Sequence, residues 1–94
     1  MEEQAKTVAA LLKLLANEQR LLILCALMQG PLTVGEIHRH TPNITDSALS
    51  QHLGQLKISG ILSSEKQGMN VVYRIEDQRI FALIETIKTH YCKE

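Results

Sequence analysis

The chain has no tryptophan, one phenylalanine, two tyrosines, two prolines and two cysteines, and its charges cancel, ten Lys and Arg against ten Asp and Glu. Two cysteines far apart do not make a disulfide-rich scaffold; in a reducing compartment such a pair is either packing or a redox device. The longest uncharged run, Leu21 to Gly35, is interrupted by Gly30 and Pro31 and falls short of the roughly 18 apolar residues of a membrane span, so no membrane partner is expected. Met1-Glu2-Glu3 supplies neither a basic start nor a small-residue cleavage site, and a cytoplasmic location is expected. No Gly-rich phosphate loop, Cys-x-x-Cys, His-Glu-x-x-His or serine elbow occurs, which leaves an enzymatic role and a cofactor without support. Repeats, low-complexity runs and linkers are also missing. The 94 residues make one domain, 1–94.

What is present is leucine and helical periodicity. Hydrophobic residues make up 45% of the chain, but a chain of this size buries only a little over ~60% of its unfolded surface, so self-association is a natural source of stability. Ala5, Val8, Ala9, Leu12 and Leu15 recur at helical spacing over Gln4 to Ala16, with Leu11 and Leu14 widening the stripe until it needs two faces to bury it. Asn17 caps a second helix, Glu18 to Met28, apolar all round beyond its first turn. Gly30-Pro31 ends it, and Thr33-Val34-Gly35-Glu36 has the spacing of a capping box that starts a short third helix to about His40. Thr41-Pro42-Asn43 is a turn, and Thr45 caps a fourth helix from Asp46 to about Ser59, closed by Gly60. From Ile61 the pattern alternates through two β-capable runs around Gln67-Gly68-Met69-Asn70, a hairpin. Near Asp77 a last helix begins, with Ile80, Ile84, Ile87 and Tyr91 on one stripe beside Phe81 and Leu83.

The order, ααααββα, is mostly α with a β-hairpin wing: two short helices joined by a tight turn and followed by a hairpin, the plan of a winged helix-turn-helix. In that plan the second helix of the pair enters the DNA major groove. Its outward positions are Ser47, Ser50, Gln51 and Gly54, opposite Leu49, Leu53 and Leu56. Gln51 can bond adenine bidentately, Ser47 and Ser50 adapt to donor or acceptor, and Ala48 can meet a thymine methyl. The helix start at Thr45 can receive a phosphate, Lys57 adds a cation, and Lys66, Gln67 and Asn70 at the wing tip suit backbone or minor-groove contacts. His52 is assigned to packing or a phosphate, not to a metal or catalysis. From Val34 to Ile75 four Lys and Arg face three Asp and Glu, so non-specific affinity should be weak, and a protein-interaction module without DNA binding is the rival reading.

With those residues in view, the chain resembles the ArsR/SmtB family of small dimeric winged-helix repressors. The likeness is carried by Leu14 to Leu24, Thr33 to Ile37, Ser47 to Leu53 with Leu56, and Gly60 to Leu62 leading to Val72-Tyr73-Arg74-Ile75. It implies a homodimer joined through the first and last helices, bound to an imperfect palindrome in double-stranded DNA and released by an inducer. An arsenic-type site needs close thiolates, and Val34 to His38 contains none. A zinc-type site on the last helix finds Asp77 and His90, but Arg79 and Lys93 stand where two further ligands belong and Glu94 does not replace them, so no metal site is assigned and a degenerate metal sensor is kept as an alternative.

The local contexts of Cys25 and Cys92 resemble the dithiol branch of that family, in which the pair senses an oxidant or a persulfide by forming a disulfide or a sulfur bridge. That resemblance makes Cys25 and Cys92 the redox-sensing residues. His90 and Lys93 flank Cys92 and favour its thiolate, whereas Cys25 sits among leucines, so Cys92 is expected to attack first and Cys25 to resolve. Without the likeness, Cys25 reads as a small core hydrophobe and Cys92 as an incidental thiol.

Overall fold

The structure is a computed structural model that describes residues 1–92. Its elements are α1 (Glu2–Leu15), α2 (Glu18–Leu27), β1 (Leu32–Thr33), α3 (Val34–His40), α4 (Asp46–Ile58), β2 (Leu62–Gln67), β3 (Asn70–Ile75) and α5 (Gln78–Tyr91). The five helices and the wing are those the sequence predicts, with α1 beginning two residues earlier than the Gln4 expected from the apolar stripe. One strand was not expected. The sheet has three strands in the order β1-β3-β2, because Leu32 and Thr33 pair antiparallel with Tyr73 and Val72. A strand of two residues has no alternation to reveal it, and the ααααββα order gains a β1 before α3.

Capping sets the helix boundaries. The Asn17 side chain accepts from the N–H groups of Gln19 (2.9 Å) and Arg20 (3.2 Å). Thr33 and Glu36 close a reciprocal capping box, with Thr33 N–H donating to Glu36 Oε1 at 2.8 Å and Glu36 N–H to Thr33 Oγ1 at 3.2 Å. Those bonds hold the Glu36 carboxyl below its usual range. At the end of α4, Gly60 takes φ +81° while its N–H donates to Lys57 O and the Ile61 N–H donates to Leu56 O, both at 3.0 Å. This is the paired bonding of a Schellman motif, sealed by contact-ready Leu56 and Ile61, both fully buried. Ile61 O then accepts from Glu76 and Asp77, which fixes where α5 begins.

The core is formed by Leu15, Ile23, Leu24, Leu27, Ile37, Leu49, Leu53, Leu56, Ile61, Leu62, Ile80 and Ile84. It draws on every helix, but not equally. From α2, read as apolar all round, Ile23, Leu24 and Leu27 go inside while Leu21 and Leu22 remain 36% and 39% exposed. From α1 only Leu15 is buried. The radius of gyration, 13.5 Å, exceeds the ~12.4 Å of a compact chain of this length. Tyr91, expected on the inner stripe of α5, is 83% exposed because the stripe leaves the core beyond Ile87, which is still packed against it.

Candidate nucleic-acid interface and thiol groove

Helix α4 is oriented by its inner face. Leu49, Leu53 and Leu56 are each no more than 1% exposed, which leaves Ser47, Ser50, Gln51 and Lys57 exposed and Ala48 and Gly54 half-buried at the edges of the outer face. Thr45 caps the helix through its hydroxyl, which accepts from the Ala48 N–H at 3.1 Å. The wing supplies a second exposed surface. Register pairs Lys66 with Val71 and Gln67 with Asn70, leaving Gly68 and Met69 as a two-residue loop. Gly68 at φ +63° and Met69 at negative φ are the pattern of a type II′ turn, whose twist suits a hairpin. Lys66, Gln67 and Asn70 are exposed, and Gln67 Nε2 donates to Glu65 Oε1 at 3.2 Å.

Two histidine contacts hold this helix-turn-helix, and sequence reasoning missed the first altogether. His38 on α3 reaches across the turn, Nδ1 lying 2.8 Å from Asp46 Oδ1 and Nε2 2.8 Å from Ile44 O. The ring thereby ties α3 to the turn at Ile44 and to the first residue of α4. No periodicity signals such a pair. His52 is half-buried, and its Nδ1 accepts from Arg20 Nε at 3.0 Å. Burial first, and the Arg20 charge second, push the His52 pKa below its ordinary value. Packing, one of its two expected roles, is the one the coordinates display.

The cysteines come together. Cys25, half-buried on α2, and Cys92, exposed at the C-cap of α5, line the same open surface groove of about 490 Å³ with Ala16, Asn17, Glu18, Leu21 and Leu22. Both thiols are free. Burial pushes the Cys25 pKa up, the Lys88 charge draws it down, and a Cys92 thiolate adds to the rise. Lys88, one turn before Cys92 on α5, is thus a cation felt at Cys25 that the sequence did not single out as it did His90 and Lys93; Lys93 lies outside the described residues, as does Glu94.

Asp77 is already engaged. Its carboxylate caps α5 through the Arg79 N–H (2.9 Å) and receives the Arg79 guanidinium in a two-pronged pair, Nε to Oδ1 at 3.0 Å and Nη2 to Oδ2 at 2.8 Å. The guanidinium holds the acid down to about 2. A cation therefore occupies the oxygens that a metal on this helix would require.

The comparisons with known proteins agree with this geometry. The family profile described as "Bacterial regulatory protein, arsR family" matches residues 17–64, from the N-cap of α2 into β2. The chain is 38% identical over 93 residues to the transcriptional activator HlyU of Vibrio cholerae, covering 99% of this chain and 85% of that one. It is also 38% identical over 93 residues to the transcriptional regulator YgaV of Escherichia coli, covering 98% and 93%. Among solved structures, reduced HlyU from Vibrio cholerae superposes with a TM-score of 0.91 over 99% of this chain and 97% of that one. The transcriptional repressor BigR from Xylella fastidiosa, 34% identical, gives 0.89 over 100% and 95%.

Proposed function

The chain belongs to the ArsR family of bacterial transcriptional regulators, and from that premise we propose that it is a homodimeric repressor whose grip on an imperfect DNA palindrome is switched by the Cys25/Cys92 dithiol. The observation that carries this reading is the shared groove: two free thiols from α2 and α5 open into one space. That one solved relative is described as reduced HlyU adds support. In the DNA-bound form Ser47, Ala48, Ser50 and Gln51 read base edges, the capped helix start at Thr45 meets a phosphate, and Lys57, Lys66, Gln67 and Asn70 hold the backbone. The dimer forms through α1 and α5. Val8 and Leu12, 50% and 51% exposed, are apolar surface that such a partner would cover.

The switch is a two-electron reaction. Hydrogen peroxide takes two electrons and two protons from the pair, leaving one S–S bond and two waters; a persulfide donor instead gives its outer sulfur to one thiolate and departs as a thiolate, and the second thiolate then attacks the inner sulfur of that new persulfide, expelling hydrosulfide and leaving one S–S bond. Cys92 is the attacker and Cys25 the resolving thiol, since burial keeps Cys25 protonated. Tying α2 to the end of α5 changes the spacing of the two recognition helices in the dimer, on which half-site register depends. The test is intact-mass measurement of reduced protein treated with a persulfide, a peroxide and glutathione disulfide, with operator affinity read on the same samples. The expected result is a loss of two hydrogens or a gain of whole sulfur atoms, with at least tenfold weaker binding, about 1.4 kcal/mol. Unchanged affinity in every sample would return both thiols to packing.

A further inference from the structure

Arg20 stands in the first turn of α2 and spends its guanidinium on two other helices. Nη1 donates to the Leu14 carbonyl in the last turn of α1 at 2.9 Å, and Nε donates to His52 Nδ1 on α4 at 3.0 Å. Among the described residues no other side-chain hydrogen bond joins α2 to α4. A guanidinium only donates, so His52 Nδ1 must be the unprotonated acceptor and Nε2 must carry the ring proton. One tautomer of a neutral imidazole fits, and its neighbour in the chain is Gln51, on the outer face of the recognition helix.

The other end of this connection lies beside the thiols. The stretch between Leu14 and Arg20 contains Ala16, Asn17 and Glu18, which line the groove of Cys25 and Cys92, and Leu21 and Leu22 of the same groove follow Arg20 directly. The α1–α2 corner is therefore at once a wall of the thiol groove and the mount of the guanidinium that holds α4. We propose that Arg20 and His52 form a positioning link through which chemistry in the thiol groove reaches the recognition helix; this rests on the dithiol reading above. A bridge between Cys25 and Cys92 pulls on α2 next to that corner, and the part-buried Arg20–His52 bond carries the displacement to α4. Neither residue touches base edges in this account. They act through Ser47, Ser50 and Gln51.

The test compares the ratio of operator affinities, reduced over glutathione-disulfide-treated, in the wild-type homodimer, in His52→Leu and in His52→Asn, whose amide oxygen can still accept from Arg20. Thermal unfolding of each checks that the variants are folded. The expected result is a ratio of at least tenfold in the wild type, a ratio within twofold of unity in His52→Leu with reduced-state affinity kept within a few fold, and recovery of most of the ratio in His52→Asn. A wild-type ratio that survives in His52→Leu overturns the link alone, and an equal loss of affinity in both forms replaces it with a plain scaffold or phosphate role. A wild type with no ratio overturns the dithiol reading and the link with it.

Discussion

Helices α4 and α1 are nearly the same length, thirteen and fourteen residues, yet they sit in the protein in opposite ways. Helix α4 buries Leu49, Leu53 and Leu56 almost completely, and its outer face is polar up to Ile58, which is 83% exposed at the end of the helix. Helix α1 buries Leu15 alone and leaves Val8 and Leu12 about half exposed. Helix α4 is thus held by the core of its own chain, whereas α1 leaves apolar area uncovered. The same division runs through α2, whose Ile23, Leu24 and Leu27 serve the core while Leu21 and Leu22 face outwards beside the thiols. On the proposed reading, DNA reading and partner contact use separate faces of one small core, and the two should respond to different substitutions.

The largest effect that contrast predicts is on stability. Leu53→Ala removes a side chain that is 1% exposed, and the lost transfer energy plus the cavity should cost about 2–5 kcal/mol in urea unfolding. Leu12→Ala, at a site 51% exposed, should cost under ~1 kcal/mol at low protein concentration and act instead on the monomer–dimer equilibrium seen in sedimentation velocity. Equal losses from both substitutions would erase the distinction between the two helices. A narrower division lies within α4 itself. Gln51→Ala on its outer face should leave unfolding within ~0.5 kcal/mol of the parent while weakening operator binding by about 1–3 kcal/mol, read as a shift in a salt-matched titration. Below these comes the cap. Thr45→Ala frees the Ala48 N–H from its 3.1 Å partner, and thermal melts should report a loss of ~1 kcal/mol.

How much of this was legible beforehand divides along the same physical line. Signals that live in neighbouring residues survived translation into structure: Asn17, Thr33 with Glu36, and Thr45 all cap where their spacing says they should, and Gly60 and Gly68 take the positive φ their turns require. Contacts made by distant residues left no such mark. The Arg20–His52 bond spans 32 positions, and β1 is too short to show an alternation. The Cys25/Cys92 pairing became visible only through likeness to a family, since nothing in either local sequence says that α5 ends over α2. The apolar circumference of α2 was legible, but its division into a core face and a thiol face depends on where α3 and α5 pack.

The smallest expected effects are in the pH dependence, and they separate the two faces once more. His52, on α4, is held below its ordinary value of 6.5 by burial and then by Arg20. In the window below 6.5 the unfolded chain therefore binds more protons than the folded one, so stability falls as pH drops through 6.5 and levels off once His52 protonates in the fold. Protonation there also takes away the acceptor for Arg20. On the α5 side, Asp77 is drawn from 3.8 to about 2, chiefly by the Arg79 side-chain bonds. Its contribution is complete above 3.8 and disappears as pH falls towards 2. Arg79 is 90% exposed, so solvent screens the pair and the acid step should be shallow. Melting temperatures taken from pH 7 to pH 2 should show both declines. His52→Asn should flatten the upper one, and Arg79→Ala should shrink the lower one while leaving the upper in place. An upper step that survives in His52→Asn would assign it to a group other than His52 and remove the Arg20–His52 bond as its cause.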